Sequence, residues 1–284
     1  MAVRRRGLLV VALVCLASGC RPAPSSSPPP APTSTQSPTT TTTTVTTTPT
    51  TTTTKAKPTT TTTTAKPAVT GKVVVLDPGH NGGNASHPSE INRLVPAGRG
   101  QTKACNTTGT ATNGGYPEHA FTWDVTKRVQ AILVAHGVKV VLTRSNDTGV
   151  GPCVNERAAT GNAAHADAVV SIHADGATAT SAHGFHVAYS SPPLNAEQGA
   201  PSVQLAKDVR DALVHDGYAT STYIGSDGLS KRSDLGGLNL STRPSVLVEC
   251  GNMRNATEAA AMTSAGGRQR YAEAIAAGIL SYVG

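Results

Sequence analysis

Acidic residues are absent from the first quarter of this 284-residue chain, since all 17 aspartates and glutamates follow position 71. Seven of the 24 lysines and arginines precede that position, which leaves 17 basic against 17 acidic residues in the later part. The net charge of +7 therefore belongs to the leading part of the chain. A nucleic-acid-binding fold needs a basic face on the domain itself, so this balance argues against that class.

Apolar runs long enough to rest across a membrane as a mature helix are also absent. Three arginines at 4–6 and an apolar stretch at 8–16 predict a secretory signal peptide instead. Small residues precede Cys20 as in a lipoprotein cleavage box, which predicts lipidation of Cys20 at the mature N-terminus. Because Ala17 stands where a larger aliphatic residue is usual, ordinary cleavage with release is the alternative. Either way we expect export, to the cell envelope as a membrane-anchored lipoprotein or to the periplasm or exterior.

Residues 21–70 contain almost nothing but proline, serine and threonine. This stretch lacks the apolar residues that a core needs, which predicts a disordered linker, either an O-glycosylated stalk or a plain spacer. The sequence therefore predicts a signal peptide over 1–20, a linker over 21–70 and a catalytic domain over 71–284.

Strand and helix patterns alternate within the predicted domain. Short apolar runs predict buried strands at 73–76, 138–142, 168–172, 185–189 and 246–248. Helical spacing predicts a helix that starts near Pro117 and others at about 155–164, 201–213 and 268–280. This alternation indicates an α/β domain with a mostly parallel sheet flanked by helices.

Three of these strands lead into residues that can bind a metal or move a proton. His80, His173 and Glu249 each follow a predicted strand. Ligands of open α/β sheets bind beyond the carboxyl ends of the strands, so we expect these side chains to meet at one edge. Glu118 joins them, because it lies on the inward stripe of its helix, where an unpaired carboxylate is costly.

The four residue types suit one zinc ion per chain. Catalytic zinc commonly takes two histidines and one carboxylate and leaves a fourth position for water. His80, Glu118 and His173 supply that set, and Glu249 is the predicted general base. Taken singly, each residue also has an ordinary structural explanation, and no His-Glu-x-x-His motif fixes two ligands on one helix. The hypothesis depends on their convergence at one sheet edge.

Several motifs in chain order resemble the amidase-3 family of zinc-dependent N-acetylmuramoyl-L-alanine amidases. They lie at 75–80, 117–120, 142–147, 156–162, 171–175 and 244–255. The resemblance runs from about Lys72 to the C-terminus and is strongest to the single-domain, disulfide-containing members. It implies one mixed sheet flanked by helices, with His80, Glu118 and His173 as zinc ligands and Glu249 as the catalytic residue.

The resemblance also implies a reaction, hydrolysis of the amide bond between the lactyl group of N-acetylmuramic acid and L-alanine in the peptidoglycan stem. The expected partner is peptidoglycan or its fragments, and membrane contact is expected only through a lipid on Cys20. A monomer is the default expectation, because no coiled-coil pattern is present. The alternatives are a zinc peptidase or deacetylase of the cell wall, or a wall-binding module with a decayed site.

Arg144, Arg157 and His186 are the predicted substrate contacts. The two arginines could clamp substrate carboxylates, although structural ion pairs near strand ends are an equal alternative.

Residues 81–115 form a long stretch rich in Gly, Asn and Thr, which we expect to be a polar loop. Such a loop either shapes the substrate groove or is a covered insertion.

Three cysteines lie in the predicted domain, at 105, 153 and 250. An exported protein meets an oxidising compartment, which predicts one disulfide and one free thiol. We pair Cys105 with Cys153, because both lie in predicted loops whereas Cys250 continues a buried strand. A Cys/His metal site is the competing idea, but the cysteine spacing fits no zinc-finger pattern.

Overall fold

Six strands form one sheet in the part of the chain that the computed structural model describes, residues 69–284. In spatial order they are β4 (Lys139–Leu142), β1 (Val73–Pro78), β5 (Ala168–Asp175), β8 (Ser245–Asn252), β6 (His186–Ser190) and β7 (Leu229–Arg232). A separate antiparallel hairpin consists of β2 (Leu94–Gly98) and β3 (Gln101–Ala104). The predicted signal peptide, Cys20 and nearly all of the predicted linker lie outside the described residues.

Helices cover both faces of the sheet. They are α1 (Pro88–Ile91), α2 (Glu118–Ala135), α3 (Val154–Ala163), α4 (Ala200–His215), α5 (Gly236–Asn239), α6 (Ala256–Thr263) and α7 (Ala265–Val283). Of the helices within residues 69–284, not one combines the length and the hydropathy that crossing a membrane requires.

The sheet is mixed because β6 runs antiparallel to β8, whereas the other neighbouring pairs are parallel. This confirms the predicted α/β fold with a mostly parallel sheet flanked by helices. The parallel strands β1, β5 and β8 end at the same edge, and His173 of β5 pairs in register with Glu249 of β8.

One face of the central strands forms the main hydrophobic core. Val170 and Ile172 of β5 and Val246 and Val248 of β8 are fully buried, in one cluster with Phe121 of α2. Every second residue of a strand faces the same side, so the alternating apolar residues seat α2, α4 and α7. Burial of each such side chain contributes about 2 kcal/mol to folding.

The opposite face of the same strands carries polar side chains. Asp77 of β1, Ser171 and His173 of β5 and Glu249 of β8 alternate with the core residues. Short helices α3 and α5 and the β2–β3 hairpin surround this face, and they leave a cavity above the strand ends. The main apolar core therefore lies on one face, and these polar side chains lie on the other, together with a smaller apolar cluster that includes Val75 and Val169.

Residues 81–115 are not the continuous polar loop that the sequence predicts. They contain a short 3-10 turn, α1 and the β2–β3 hairpin. Each element is only three to five residues long, too short to show a hydrophobic period.

A disulfide between Cys105 and Cys153 joins the end of the hairpin to the start of α3, which confirms the predicted pairing. Cys250 is buried and free.

Candidate metal centre

Two imidazoles and one carboxylate meet at the carboxyl edge of the sheet. Glu118 Oε1 lies 3.1 Å from His80 Nε2 and 2.9 Å from His173 Nδ1. The two rings meet edge to face with centroids 4.9 Å apart. One ligand atom from each residue lies within 4.8 Å of the others, and this is the single such group in residues 69–284.

Each of the three side chains comes from a different element. His80 follows β1, in a left-handed backbone conformation with φ 58°, which is uncommon for a residue with a Cβ. Glu118 is the first residue of α2, where the helix dipole favours a carboxylate, and it is 3% exposed. His173 belongs to β5. These positions are separated by 38 and 55 residues along the chain, so only the tertiary fold brings them together.

Residues 107–110 hold two of the three side chains in place. The Thr107 carbonyl oxygen lies 3.1 Å from His80 Nδ1, which favours the proton on Nδ1 and leaves Nε2 available to a metal. The Thr110 amide donates to Glu118 Oε2 at 2.9 Å, and the Ala174 amide donates to Oε1 at 3.2 Å. No sequence motif predicts this support, because backbone groups provide it.

The charges of these groups stabilise one another. Burial by itself lowers the pKa of His80, but the Glu118 carboxylate beside it more than compensates and raises that pKa above its ordinary value. Burial by itself raises the pKa of Glu118, but the two imidazoles hold it well below its usual range. Glu118 is therefore ionised and ready to bind a cation.

Glu249 stands on the strand next to His173, at the same level of the sheet. Its Oε2 atom is buried and has no hydrogen-bond partner among the described residues. Burial, followed by the nearby carboxylates of Asp175 and Glu118, raises the pKa of Glu249 well above its ordinary value. A carboxyl group with a raised pKa in a cavity is a candidate for general acid–base chemistry.

The Arg157 side chain is buried and makes its hydrogen bonds to protein groups. Its guanidinium lies 2.6 Å from Asp77, and it donates to the carbonyl oxygens of Pro78 at 2.7 Å and His80 at 2.8 Å. Burial would raise the pKa of Asp77, but the Arg157 charge and two hydroxyl donors lower it to about 2. These contacts describe the structural ion pair, the alternative to a substrate clamp, and they fix the backbone that presents His80.

Arg144 has a similar environment, with a side chain that is 2% exposed. It donates to Asp147 at 2.9 Å and to the carbonyl oxygens of Pro78, Asn146 and His119 at 3.0, 2.7 and 3.1 Å. Burial lowers the pKa of Arg144 to about 10. With its donors satisfied by the protein, Arg144 also fits the structural alternative.

His186, the third predicted substrate contact, is the first residue of β6 and lies in register opposite Glu249. It is 1% exposed, so its position is behind the catalytic edge and away from solvent. The Asp175 carboxylate, which belongs to the motif at 171–175, lies 3.8 Å from His186 Nδ1.

A cavity of about 360 Å³ opens beside the three ligand side chains. Its lining includes His80, Glu118, His173 and Glu249, and it continues over the polar face of the sheet toward Leu247 and α5. The cavity therefore brings together the three residues that could bind a metal and the carboxyl group of Glu249.

The donor set fits zinc. Two imidazole nitrogens and a carboxylate are typical of catalytic zinc, whereas calcium and magnesium prefer oxygen ligands alone. The ligand atoms are partly or fully buried and hydrogen-bonded from behind, and the cavity leaves one side open. This arrangement has the three protein ligands and the open position that a catalytic site requires.

Comparison with known proteins points to a single family. Residues 74–281 match the family Amidase_3, described as N-acetylmuramoyl-L-alanine amidase. An N-acetylmuramoyl-L-alanine amidase of Mycobacterium tuberculosis is 54% identical over 215 residues, which cover 76% of this chain and 88% of that protein.

Solved structures agree with the sequence match. The crystal structure of the N-acetylmuramyl-L-alanine amidase Ami1 from Mycobacterium smegmatis is 56% identical, with a TM-score of 0.74 over 76% of this chain and 98% of that one. The apo form of Ami1 from Mycobacterium abscessus is 53% identical, with a TM-score of 0.73 over 76% of this chain and all of that one.

Proposed function

The chain belongs to the Amidase_3 family of N-acetylmuramoyl-L-alanine amidases, and from this we propose that it is a peptidoglycan hydrolase. The bond it cleaves joins the lactyl group of N-acetylmuramic acid to L-alanine of the stem peptide. The observation that carries the proposal is the convergence of His80, Glu118 and His173 on one open cavity, with Glu249 in register beside them.

One zinc ion per chain, held by His80, Glu118 and His173, would polarise the scissile carbonyl and lower the pKa of a water molecule to about 7. Glu249 takes the proton from the attacking water and returns it to the nitrogen of the departing L-alanine. Its place in register with His173, on the wall of the cavity, supports this role. Thr107 and Thr110 hold His80 and Glu118 in the orientation that the reaction needs.

A peptidoglycan substrate also gives a role to residues 1–70, because the enzyme has to leave the cytoplasm to reach it. We propose that residues 1–20 direct export and that Cys20 is lipidated, so that the enzyme is anchored in the cell envelope. Residues 21–70 then act as a spacer that lets the catalytic domain, 71–284, reach the wall. Expression in cells treated with an inhibitor of the lipoprotein signal peptidase tests the anchor. Accumulation of the uncleaved precursor is expected only if Cys20 is lipidated.

Mass spectrometry of digested peptidoglycan tests the reaction. Stem peptides that begin with a free L-alanine amino group, together with glycan that retains its lactyl group, are the expected products. Shortened stem peptides would indicate a zinc peptidase, and release of acetate would indicate a deacetylase. Binding of wall fragments by the zinc-loaded protein without any cleavage would indicate a binding module.

Removal of the proposed base tests the mechanism. We expect Glu249→Gln to lose about 10²- to 10⁴-fold in turnover while it keeps one zinc per chain, because the acid–base step is lost and the ligands are not. Glu273→Gln, an exposed position on α7, is the matched control and should behave as the wild type. Full turnover by Glu249→Gln would remove this residue from the mechanism.

A further inference from the structure

His186 is an unusual buried histidine. Its side chain is 1% exposed, and neither Nδ1 nor Nε2 has a hydrogen-bond partner within residues 69–284. Buried polar groups are nearly always hydrogen-bonded, since an unpaired one costs about 1–3 kcal/mol. A histidine in this position therefore needs a functional explanation.

The residue directly opposite has the same property. Glu249 is the register partner of His186 across the antiparallel pair β6–β8, and Glu249 Oε2 is itself buried without a partner. Residues directly opposite each other in an antiparallel pair point to the same face, with Cβ atoms about 5 Å apart. A possible donor and an acceptor that both lack partners thus lie on neighbouring strands and on the same face of the sheet.

Burial favours the neutral form of the imidazole. Asp175 of β5, Glu249 of β8, Arg232 of β7 and Tyr223 of the preceding loop are the titratable groups around His186. Burial lowers the pKa of His186 to about 4, although Asp175 acts in the opposite direction. A neutral imidazole has one N–H donor and one acceptor nitrogen.

Asp175 is already engaged elsewhere. The Tyr223 hydroxyl donates to Asp175 Oδ2 at 3.0 Å, whereas His186 Nδ1 lies 3.8 Å from the same oxygen, which is too long for a hydrogen bond. The ring edge of His186 packs against Tyr223, with centroids 6.5 Å apart. Tyr223 and Asp175 thus confine the ring, and Glu249 Oε2 remains the unpaired acceptor in register with it.

We propose that His186 is a positioning residue for Glu249, with its ring N–H holding Oε2 across one bridging water, because the two side chains are not in direct hydrogen-bond contact. This rests on the proposed role of Glu249 as the general base. With Oε2 fixed from behind, the other carboxylate oxygen faces the cavity in one orientation. Hydrogen bonds of catalytic groups are often long in ligand-free structures and tighten when substrate binds.

Replacement of the ring by an apolar side chain tests the inference. We expect His186→Leu to lower kcat by about tenfold or more with KM within about twofold, because orientation of the base is lost and the substrate cavity is not. Zinc content should stay at one per chain. The melting temperature should be equal or higher, since an unpaired buried polar group is replaced by an apolar one.

Two further variants separate positioning from structure. His186→Gln, which keeps an N–H donor at this place, should recover part of the lost kcat. Ser190→Ala removes another buried polar side chain of β6, bonded to Arg99 and Asn239 and away from the cavity. It should lower stability and leave kcat unchanged, as a purely structural residue would.

The pH profile gives a second readout. A donor to an ionised carboxylate lowers the pKa of that carboxylate, so its loss in His186→Leu should move the acidic limb of kcat/KM to higher pH. The inference would be overturned if His186→Leu left both kcat and the acidic limb of the kcat/KM profile unchanged. It would also be overturned if the loss of kcat were explained by a loss of zinc. If His186→Leu does not fold, His186→Met is read by the same criteria. Full activity of Glu249→Gln would instead contradict the proposed function itself.

Discussion

Gly79 lies directly beneath the imidazole of His173. A Cβ built on Gly79 would overlap the ring, at 2.6 Å from the Nδ1 atom that points to the metal position. The Gly79 backbone is fixed from both sides, since its amide donates to Ile172 and its carbonyl accepts from Thr122. The strand-end glycine is therefore required by the histidine of the neighbouring strand.

The first prediction concerns this contact. Gly79→Ala should displace the His173 ring and weaken zinc binding by about tenfold or more, because a ligand leaves its required position. Zinc affinity by competition with a chelator is the measurement. Gly114→Ala, at an exposed position with free space for a Cβ, is the matched control. Equal zinc affinities of the two variants would contradict the prediction.

A second prediction concerns the disulfide. Cys105 precedes the segment 107–110 that supports His80 and Glu118, and Cys153 precedes α3. The Cys105→Ser/Cys153→Ser double variant should lose up to about 4 kcal/mol in the free energy of unfolding, because the bridge closes a loop of 48 residues. Its zinc affinity should fall as well, since the segment is no longer tethered.

Denaturant unfolding and zinc titration check both parts of this prediction. Cys250→Ala is the control, because Cys250 is a free buried thiol on β8. We expect it to retain zinc affinity. Wild-type stability in the double variant would show that the bridge does not restrain the unfolded chain.

The third prediction is a pH dependence of stability. The pKa of Asp77 is about 2 in the folded protein, against an ordinary value of 3.8. A lowered pKa stabilises the fold above the unfolded value, and this stabilisation is lost as the pH falls from about 4 to about 2. The ionised Asp77 should therefore contribute about 2 kcal/mol at neutral pH that is absent near pH 2.

Urea unfolding of the wild type and Asp77→Asn at several pH values isolates this contribution. The difference in unfolding free energy between the two proteins should shrink across that acidic range and stay constant above pH 5. A difference that does not change with pH would mean that Asp77 is not ionised beside Arg157 in the folded protein.

The fourth prediction distinguishes the two roles proposed for Arg144. Arg144→Lys loses the planar set of donors to three backbone carbonyls and should destabilise the protein by about 3 kcal/mol. KM should change little, because the guanidinium is buried. Arg270→Lys, an exposed position on α7, is the control for stability. A raised KM with unchanged stability would restore Arg144 as a substrate contact.

The metal centre is where the sequence was most informative. The sequence predicts that His80, His173 and Glu249 each follow an apolar strand. In the structure His80 follows β1, whereas His173 and Glu249 lie near the carboxyl ends of β5 and β8. Parallel strands end at one edge, so their following residues had to meet there, and the structure brings them together. Glu118 could be added because a carboxylate on an inward helical stripe needs a partner.

The directions of individual side chains and strands could not be predicted from the sequence in the same way. Arg144 and Arg157 stand in motifs near the site, but their side chains turn inward to backbone carbonyls of the strand-end segment. His186 begins a strand whose direction the sequence leaves open, and only the antiparallel pairing places it opposite Glu249. A reversed strand, or a shift by one residue, would move the ring to another edge or face.

By itself, the sequence determined the chemistry of this protein: which residue types follow which strands, which cysteines are free to pair, and which face of each helix is apolar. These depend on local periodicity and chain order. Only the tertiary structure decided what supports the chemistry, namely the backbone of 107–110 behind the ligands, the glycine beneath His173 and the histidine behind Glu249. Those contacts join segments far apart in the chain through backbone groups and strand direction, which leave no pattern in the order of side chains.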